Sequence, residues 1–142
     1  MNLIRPIAIC VFRRTGRILV SEGFDPHQKQ VFYRPLGGMI EFGERAENTI
    51  RREIREELNA EVTDLRYLGL LESIFSFEAQ PHHELVLVYD GRFSNTLLYE
   101  ASVLTGTEPG ENTPFKVIWK RIDEFTDEAP PLYPDGLLDL VR

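Results

Sequence analysis

The chain has 142 residues, and its mass of 16.4 kDa is that of one ordinary domain. Hydrophobic residues make up 42% and charged residues 27% of the sequence, which argues against a disordered, collagenous or disulfide-rich protein. The net charge of -7 disfavours nucleic acid and anionic membranes as partners. We therefore expect one globular domain over residues 1–142.

Two further features bear on the cellular location. Cys10 is the single cysteine, so an intrachain disulfide cannot form and nothing indicates an oxidising compartment. No apolar run reaches the roughly 18 residues that a membrane helix needs. Residues 1–9 lack the apolar core and the cleavage-like site of a signal peptide. We expect a cytoplasmic protein without membrane association, in which Cys10 is a small buried hydrophobic residue.

The first 40 residues predict a β-rich start. Three segments rich in Ile, Val, Phe or Tyr are predicted strands: residues 4–12, 17–21 and 31–33. Polar segments with Gly or Pro are predicted turns and loops: residues 13–16, 23–30 and 34–38. The short first turn predicts a hairpin, and Pro6 places the first strand at an edge or near a bend.

The clearest helix is predicted over residues 45–58. Apolar residues recur there at intervals of four: Ala46, Ile50, Ile54 and Leu58. At 100° per residue they span about 120°, a suitable width for a face against the core. Neither Pro nor Gly interrupts the segment. Asn59 follows where a left-handed residue commonly ends a helix.

The rest of the chain alternates strands with loops. The predicted strands are residues 62–71, 73–77, 85–89 and 115–119. Two Pro residues and one Gly mark a loop over residues 109–114. Residues 122–125 predict a helical turn and residues 137–141 a short final helix. The predicted fold class is α+β, a mostly β body with two or three helices packed on it.

Acidic residues gather on one side of the predicted helix. Helical geometry brings Glu53, Glu56 and Glu57 together, and two of them overlap the edge of the apolar stripe. Glu53 and Glu57 are an i,i+4 pair of like charges, which costs a few tenths of a kcal/mol even when exposed. A divalent cation removes this repulsion, and hard oxygen ligands suit Mg²⁺ or Mn²⁺. The competing interpretation is a salt-bridged, solvated helix face.

A glycine-rich segment lies just upstream of this helix. Gly37 and Gly38 allow backbone groups to approach a metal or a phosphate closely. The spacing from Gly38 to Gly43 resembles the start of a P-loop. Glu44 and Arg45 stand where that motif needs Lys and Ser or Thr, so a P-loop ATPase is excluded.

The segment from Gly38 to Ala60 resembles the Nudix box of the nucleoside-diphosphate-linked-X hydrolases, G-x5-E-x7-R-E-U-x-E-E-x-G-U, where U is a bulky aliphatic residue. Seven residues match in type and spacing: Gly38, Glu44, Arg52, Glu53, Ile54, Glu56 and Glu57. Asn59 and Ala60 replace the final Gly and aliphatic residue, beyond the carboxylates. The resemblance favours a metal site over a solvated helix face. It implies a Nudix-like α/β/α sandwich with a central mixed β-sheet.

The resemblance also implies roles for the matched residues. The implied metal ligands are Glu56, Glu57, Glu53 and the carbonyl group of Gly38. Glu53 is alternatively the general base, Arg52 orients the glutamates through a salt bridge, and Glu44 supports them. The implied reaction is hydrolysis of a diphosphate linkage with Mg²⁺, or alternatively Mn²⁺, as cofactor. The metal lowers the pKa of a bound water, and a carboxylate removes its proton during in-line attack at phosphorus.

The family often adds one carboxylate from a later loop or strand. Glu84 is the first choice, because it immediately precedes an apolar strand that can place it at the end of the sheet. Three other acids are alternatives: Glu100, Glu108 and Glu111. A solvated loop acid is the competing interpretation for each. His82 and His83 diverge on a strand, so we expect an exposed pair and no joint chelation.

Substrate contacts are expected just before the glycine-rich segment. Arg34 can pair with a phosphate, and Arg5, Phe32 and Tyr33 are further candidate contacts for the phosphates and the base. Simple strand packing explains Phe32 and Tyr33 equally well. Residues 73–78 lack the proline typical of some ADP-ribose-cleaving members and the tyrosine typical of several dinucleoside-polyphosphate members. A nucleoside triphosphate or another small nucleotide is therefore favoured.

Several alternatives stay open. The leading hypothesis is a metal-dependent Nudix hydrolase of a small-molecule nucleotide, acting as a monomer or a homodimer. The alternative is a catalytically weak nucleotide-binding or regulatory module with the same fold. An mRNA-decapping-like hydrolase is a further alternative, although this sequence shows no obvious basic extension that would bind RNA. The C-terminal residues 121–142 carry a net charge of -4 and have no functional assignment, so we interpret them as solvated surface.

Overall fold

A computed structural model describes residues 2–111 and 113–142. In this part of the chain the strands are β1 (Ile4–Arg14), β2 (Arg17–Asp25), β3 (Gln30–Arg34), β4 (Leu36–Met39), β5 (Val62–Phe77), β6 (Gln80–Phe93), β7 (Val103–Gly106) and β8 (Phe115–Arg121). The α-helices are α1 (Ala46–Leu58) and α2 (Leu137–Val141), and short 3₁₀ helices span Thr96–Tyr99 and Ile122–Glu124. No helix of the described residues combines the length and the apolar character needed to cross a membrane.

The strands form a mixed sheet with the order β5-β6-β1-β2-β8-β7. Strands β3 and β4 pair additionally with β2 and β1. Strands β1 and β6 are parallel, and the other pairs are antiparallel. Helix α1 packs on one face of the sheet and helix α2 on the other. This arrangement confirms the predicted α+β sandwich around a mixed sheet.

Strand β1 forms the centre of both halves of the core. Ala8, Cys10 and Phe12 pack on the side of α1, whereas the alternating residues Ile7, Ile9 and Val11 pack on the side of α2. This alternation follows from the two-residue repeat of a strand. Cys10 is fully buried as predicted, and burial raises the pKa of its thiol.

Helix α1 begins one residue later than predicted and ends where expected. Ile50 and Ile54 are fully buried beneath it. Asn59 has φ 52° and ψ 44°, and its N–H donates to the carbonyl oxygen of Arg55 at 2.9 Å. The predicted left-handed end of the helix is therefore confirmed.

Several predicted boundaries were wrong because pairing partners decide where strands end. Residues 36–39 form strand β4 against β1, although the two glycines predicted a loop. Residues 23–25 extend strand β2 and pair with β3. The two strands predicted over residues 62–77 are one strand, β5, with two register shifts. Pro6 lies in an internal strand and not at an edge, and its carbonyl accepts the N–H of Ile40.

Candidate active site

Three carboxylates converge beside helix α1, from Glu53, Glu57 and Glu108. One oxygen of each lies within 4.8 Å of the others. Glu57 is only 4% exposed, and its Oε2 has no hydrogen-bond partner in the described part of the chain. An unpartnered buried carboxylate oxygen is costly. Three convergent oxygen ligands suit Mg²⁺ or Mn²⁺, which would satisfy this oxygen and balance the charge.

Helix geometry and two contacts with other segments build this cluster. Glu53 and Glu57 lie one turn apart on α1. Gly38 of β4 lies against Glu53, and a Cβ atom at this position would overlap the Glu53 carboxyl group. Thr107 donates its N–H to the carbonyl oxygen of Glu57 at 3.0 Å. That carbonyl belongs to the last turn of α1, where no helical N–H is available. The contact holds the neighbouring Glu108 at the cluster.

The electrostatics of the cluster reflect crowding of like charges. Burial is the largest cause that raises the pKa of Glu57, and the neighbouring carboxyl groups of Glu53 and Glu108 act in the same direction. The pKa of Glu108 is also raised, first by burial and then by the charge of Glu53. A bound divalent cation would favour the charged forms of Glu57 and Glu108.

Arg52 lies beside this cluster and holds two glutamates. Its Nε and Nη2 donate to the two carboxylate oxygens of Glu44 at 2.9 and 3.0 Å. Its Nη1 donates to Oε1 of Glu53 at 2.9 Å. Thr49 also donates its hydroxyl to Glu44, at 2.7 Å. These hydrogen bonds, that from Arg52 first, lower the pKa of Glu44 to about 2. The fork of Arg52 thus fixes the carboxylate of Glu53 through a charge-assisted network.

Two acids predicted for the site lie outside the three-carboxylate cluster. The side chain of Glu56 is 33% exposed, and its Oε2 lies 3.5 Å from Nη1 of Arg52 at the rim. Glu84 is buried on β6, with its Oε1 3.7 Å from Nη2 of Arg34. Glu84 nevertheless lines the same cleft, of about 310 Å³, as Glu57 and Glu108.

Glu108, an alternative in the sequence, is the later acid that joins Glu53 and Glu57. Glu100 and Glu111 are exposed. Strand β7, which ends at Gly106 and brings Glu108 to α1, was not predicted. This four-residue segment is too short, and its polar and apolar residues too mixed, for the sequence to predict a strand. The position of Glu108 therefore depends on pairing of β7 with β8, which the sequence pattern does not show.

A second cavity, of about 330 Å³, adjoins the cleft. Phe32, Arg34 and Glu84 line both spaces. Arg5 also lines this cavity. Tyr33, predicted as a substrate contact, instead packs in the core and donates its hydroxyl to Glu22 at 3.1 Å. Neighbouring residues of a strand face opposite sides, which explains why Phe32 and Tyr33 differ.

The two histidines also differ from expectation. His82 and His83 are half-buried, so the predicted exposed pair is wrong. His82 stacks on Phe75, with ring centroids 5.1 Å apart, and lines the second cavity. Pairing between β5 and β6 opposes His82 to Phe75 and His83 to Ile74. The predicted divergence of the two side chains follows from this register.

Comparison with known proteins agrees with this geometry. A family model described as the NUDIX domain matches residues 3–136. The NAD-capped RNA hydrolase NudC of Vibrio vulnificus is 35% identical over 64 residues, which cover 45% of this chain and 24% of that protein. NudC of Pseudomonas putida is 38% identical over 66 residues, covering 46% and 23%. The match thus spans about a quarter of the length of these curated relatives.

Solved structures share the fold over nearly the whole chain. The MutT NUDIX hydrolase of Burkholderia pseudomallei superposes with a TM-score of 0.68 at 22% identity, covering 99% of this chain and 98% of that chain. A mutator MutT protein of Bacillus halodurans gives a TM-score of 0.63 at 16% identity, covering 98% and 81%. At these identities the likeness shows the fold alone. Because the family model matches nearly the full sequence, this chain belongs to the Nudix hydrolase family.

Proposed function

We propose that this chain is a divalent-metal-dependent pyrophosphohydrolase that cleaves a diphosphate linkage in a nucleotide or a nucleoside-diphosphate derivative. One observation carries the proposal. Glu57 has a buried oxygen that finds no hydrogen-bond partner among the described residues, and its carboxylate lies with those of Glu53 and Glu108. Arg52 supplies a cation to Glu53, but no salt bridge in the part of the chain that the structure describes reaches Glu57 or Glu108, as a purely structural ion-pair network would require.

The proposed roles follow from the contacts of each side chain. Glu53, Glu57 and Glu108 would hold Mg²⁺ or Mn²⁺, and Gly38, which lies against Glu53, would offer its carbonyl group. When bound, the metal neutralises phosphate charge and lowers the pKa of a water molecule. Glu53 would alternatively be the general base that accepts the proton of the attacking water, with Arg52 keeping its carboxylate in place.

Arg34, which lines the same cleft as Glu57 and Glu108, is proposed to bind the phosphates. It is one-third exposed there, and its guanidinium is well suited to phosphate oxygens. Glu84 was predicted as a catalytic carboxylate. Its ion pair with Arg34 and its position outside the three-carboxylate cluster support a different role, that of holding Arg34 toward the cleft. Glu56 is proposed to be a rim residue that assists Arg52.

The experiment is a substrate panel assayed with Mg²⁺ and with Mn²⁺, with products identified by mass. The panel contains nucleoside triphosphates, dinucleoside polyphosphates, ADP-ribose and NAD⁺; the last is included because the NudC relatives are named for NAD-capped RNA. We expect metal-dependent turnover of at least one compound. Glu57→Gln should lower this turnover at least about 100-fold, because it removes a charged ligand of the metal.

Glu47→Gln is the matched control, because Glu47 lies on the same helix but is exposed and pairs only weakly with Arg51. It should keep wild-type turnover. Full activity of Glu57→Gln would contradict the proposed site. Nucleotide binding without turnover across the panel would favour the alternative, a regulatory or weakly active module of the same fold.

A further inference from the structure

The second cavity is surrounded by aromatic rings from four separate parts of the chain. Strand β3 contributes Phe32, β5 contributes Phe75 and Phe77, β6 contributes His82, and the C-terminal segment contributes Tyr133. Phe75 and His82 are nearly parallel, with an interplanar angle of 7°. We call these five side chains the aromatic cage.

Tyr133 closes the aromatic cage by touching two of its rings. Its ring centroid lies 5.8 Å from that of Phe75 at an interplanar angle of 22°, and 5.8 Å from that of Phe32 at 57°. Such offset and tilted arrangements are the favourable geometries of aromatic pairs. Tyr133 therefore extends the stack of Phe75 and His82 and joins it to Phe32.

Backbone pairing with β3 brings Tyr133 to this position. The N–H of Tyr33 donates to the carbonyl oxygen of Pro131 at 2.9 Å, and the N–H of Tyr133 donates to the carbonyl oxygen of Tyr33 at 2.8 Å. Leu132 forms a parallel bridge with Tyr33. The interpretation of residues 121–142 as mere solvated surface is therefore incomplete, because part of this segment continues the wall of a cavity.

The rim and the base of the cage are also built from specific contacts. Asp25 is buried, and its Oδ1 accepts the backbone N–H groups of His27 at 3.0 Å and Glu78 at 3.3 Å. It thereby ties the β2–β3 loop to the β5–β6 turn. At the base, Arg34 and Glu84 join the cage to the acidic cleft. A ligand that fills both spaces needs a flat aromatic group at one end and a phosphate group at the other.

We propose that Tyr133 determines substrate specificity by stacking with the aromatic group of a nucleotide whose phosphates extend past Arg34 into the acidic cleft. This inference rests on the proposed function, since it assigns the part of that substrate beyond the phosphates. A substrate without a flat aromatic group, such as a sugar phosphate, gains nothing from Tyr133. Loss of the Tyr133 ring should therefore weaken the binding of nucleotides but not that of sugar phosphates.

The test is equilibrium binding without metal, so that hydrolysis is not required. Calorimetry with EDTA present compares AMP, GMP, CMP and UMP with ribose 5-phosphate. We expect the wild type to bind at least one nucleotide more tightly than ribose 5-phosphate. Tyr133→Ala and Tyr133→Leu should both raise the Kd of that nucleotide about 10-fold, as for loss of one stacked ring. Tyr133→Phe should keep it within about twofold, and ribose 5-phosphate should bind all variants alike.

Three outcomes would overturn the inference. An unchanged nucleotide Kd in Tyr133→Ala would show that the ring does not touch the ligand. If Tyr133→Ala weakens binding of ribose 5-phosphate as much as that of the nucleotide, the role of Tyr133 is only structural. If the wild type binds nucleotides no more tightly than ribose 5-phosphate, the cavity does not recognise an aromatic group. If the wild type binds nucleotides through Tyr133 but hydrolyses none, the inference stands and the proposed function fails. In an active enzyme, Tyr133→Ala should raise KM and leave kcat within about twofold.

Discussion

Two acidic groups beside helix α1 experience opposite environments. Glu44 receives hydrogen bonds from Arg52 and Thr49, and its pKa falls to about 2. Glu57 is buried against two other carboxylates, one of its oxygens has no hydrogen-bond partner within residues 2–111 and 113–142, and its pKa rises. Arg52 thus supplies a cation to Glu44, whereas Glu57 forms no salt bridge in the described part of the chain. This difference separates a carboxylate that holds the structure together from one that is available to an external cation.

Arg52 links the two environments, because it binds Glu44 with one side of its guanidinium and Glu53 with another. We expect Arg52→Gln to have the largest effect on stability, since it leaves Glu44 half-buried without its cation and releases Glu53. Unfolding in urea should show a loss of about 2 kcal/mol, somewhat below the cost of breaking a fully buried pair. Turnover should fall about 10- to 100-fold, as for residues that orient metal ligands.

Arg52→Lys is the informative control for this prediction. Lysine keeps the charge but cannot contact both oxygens of Glu44 and also reach Glu53 with a planar fork. Its stability should lie between those of the wild type and Arg52→Gln, while turnover should stay well below wild type. Unchanged turnover in both variants would show that Glu53 does not need Arg52.

Glu108 is the member of the acidic cluster that does not lie on helix α1, and its substitution tests the cluster separately. Glu108→Gln should weaken Mn²⁺ binding about 10-fold, because it removes one of three charged oxygen ligands but leaves both helix glutamates in place. Glu111→Gln is the matched control from the same loop, since Glu111 is exposed, and it should bind Mn²⁺ as the wild type does. If the two substitutions changed Mn²⁺ affinity equally, Glu108 would act only through its negative charge and not as a metal ligand.

The smallest expected effect concerns acid stability at Glu44. Its pKa in the folded protein is about 2, below the ordinary value of 4.5, so folding favours the charged carboxylate. This stabilisation is fully present above about pH 4.5 and is lost as the pH falls toward 2. The free energy of unfolding of the wild type should therefore exceed that of Glu44→Gln at pH 7, and the difference should shrink between pH 4.5 and 3. A difference that stays constant over this range would contradict the assigned ion pair.

The sequence predicted well those features that depend on neighbours along the chain. Periodicity predicted α1 to within one residue at its start, and Asn59 ends it as expected. The four-residue spacing of Glu53 and Glu57 also brings them together, because both lie on one helix. Local geometry is sufficient for each of these features.

Features that depend on distant pairing were missed or left open. Gly37 and Gly38 predicted a loop, yet they belong to β4 because β1 supplies hydrogen-bond partners. The choice of Glu84 over Glu108 followed from an apolar strand next to it, whereas contacts of Thr107 with the end of α1 bring Glu108 to the cluster. Tyr133 lies about 100 residues from the strand that positions it, and no local pattern marks such a contact.

The most direct test of the central claim is calorimetric titration of Mn²⁺ into the wild type, Glu57→Gln and Glu47→Gln at neutral pH. If the cluster of Glu53, Glu57 and Glu108 is a cation site, the wild type and Glu47→Gln bind Mn²⁺ with equal affinity. Glu57→Gln should then bind at least about 100-fold more weakly, a larger loss than that of Glu108→Gln because Glu57 is the more buried of the two ligands. Equal Mn²⁺ affinity in Glu57→Gln and the wild type, or no binding by the wild type, would contradict the account.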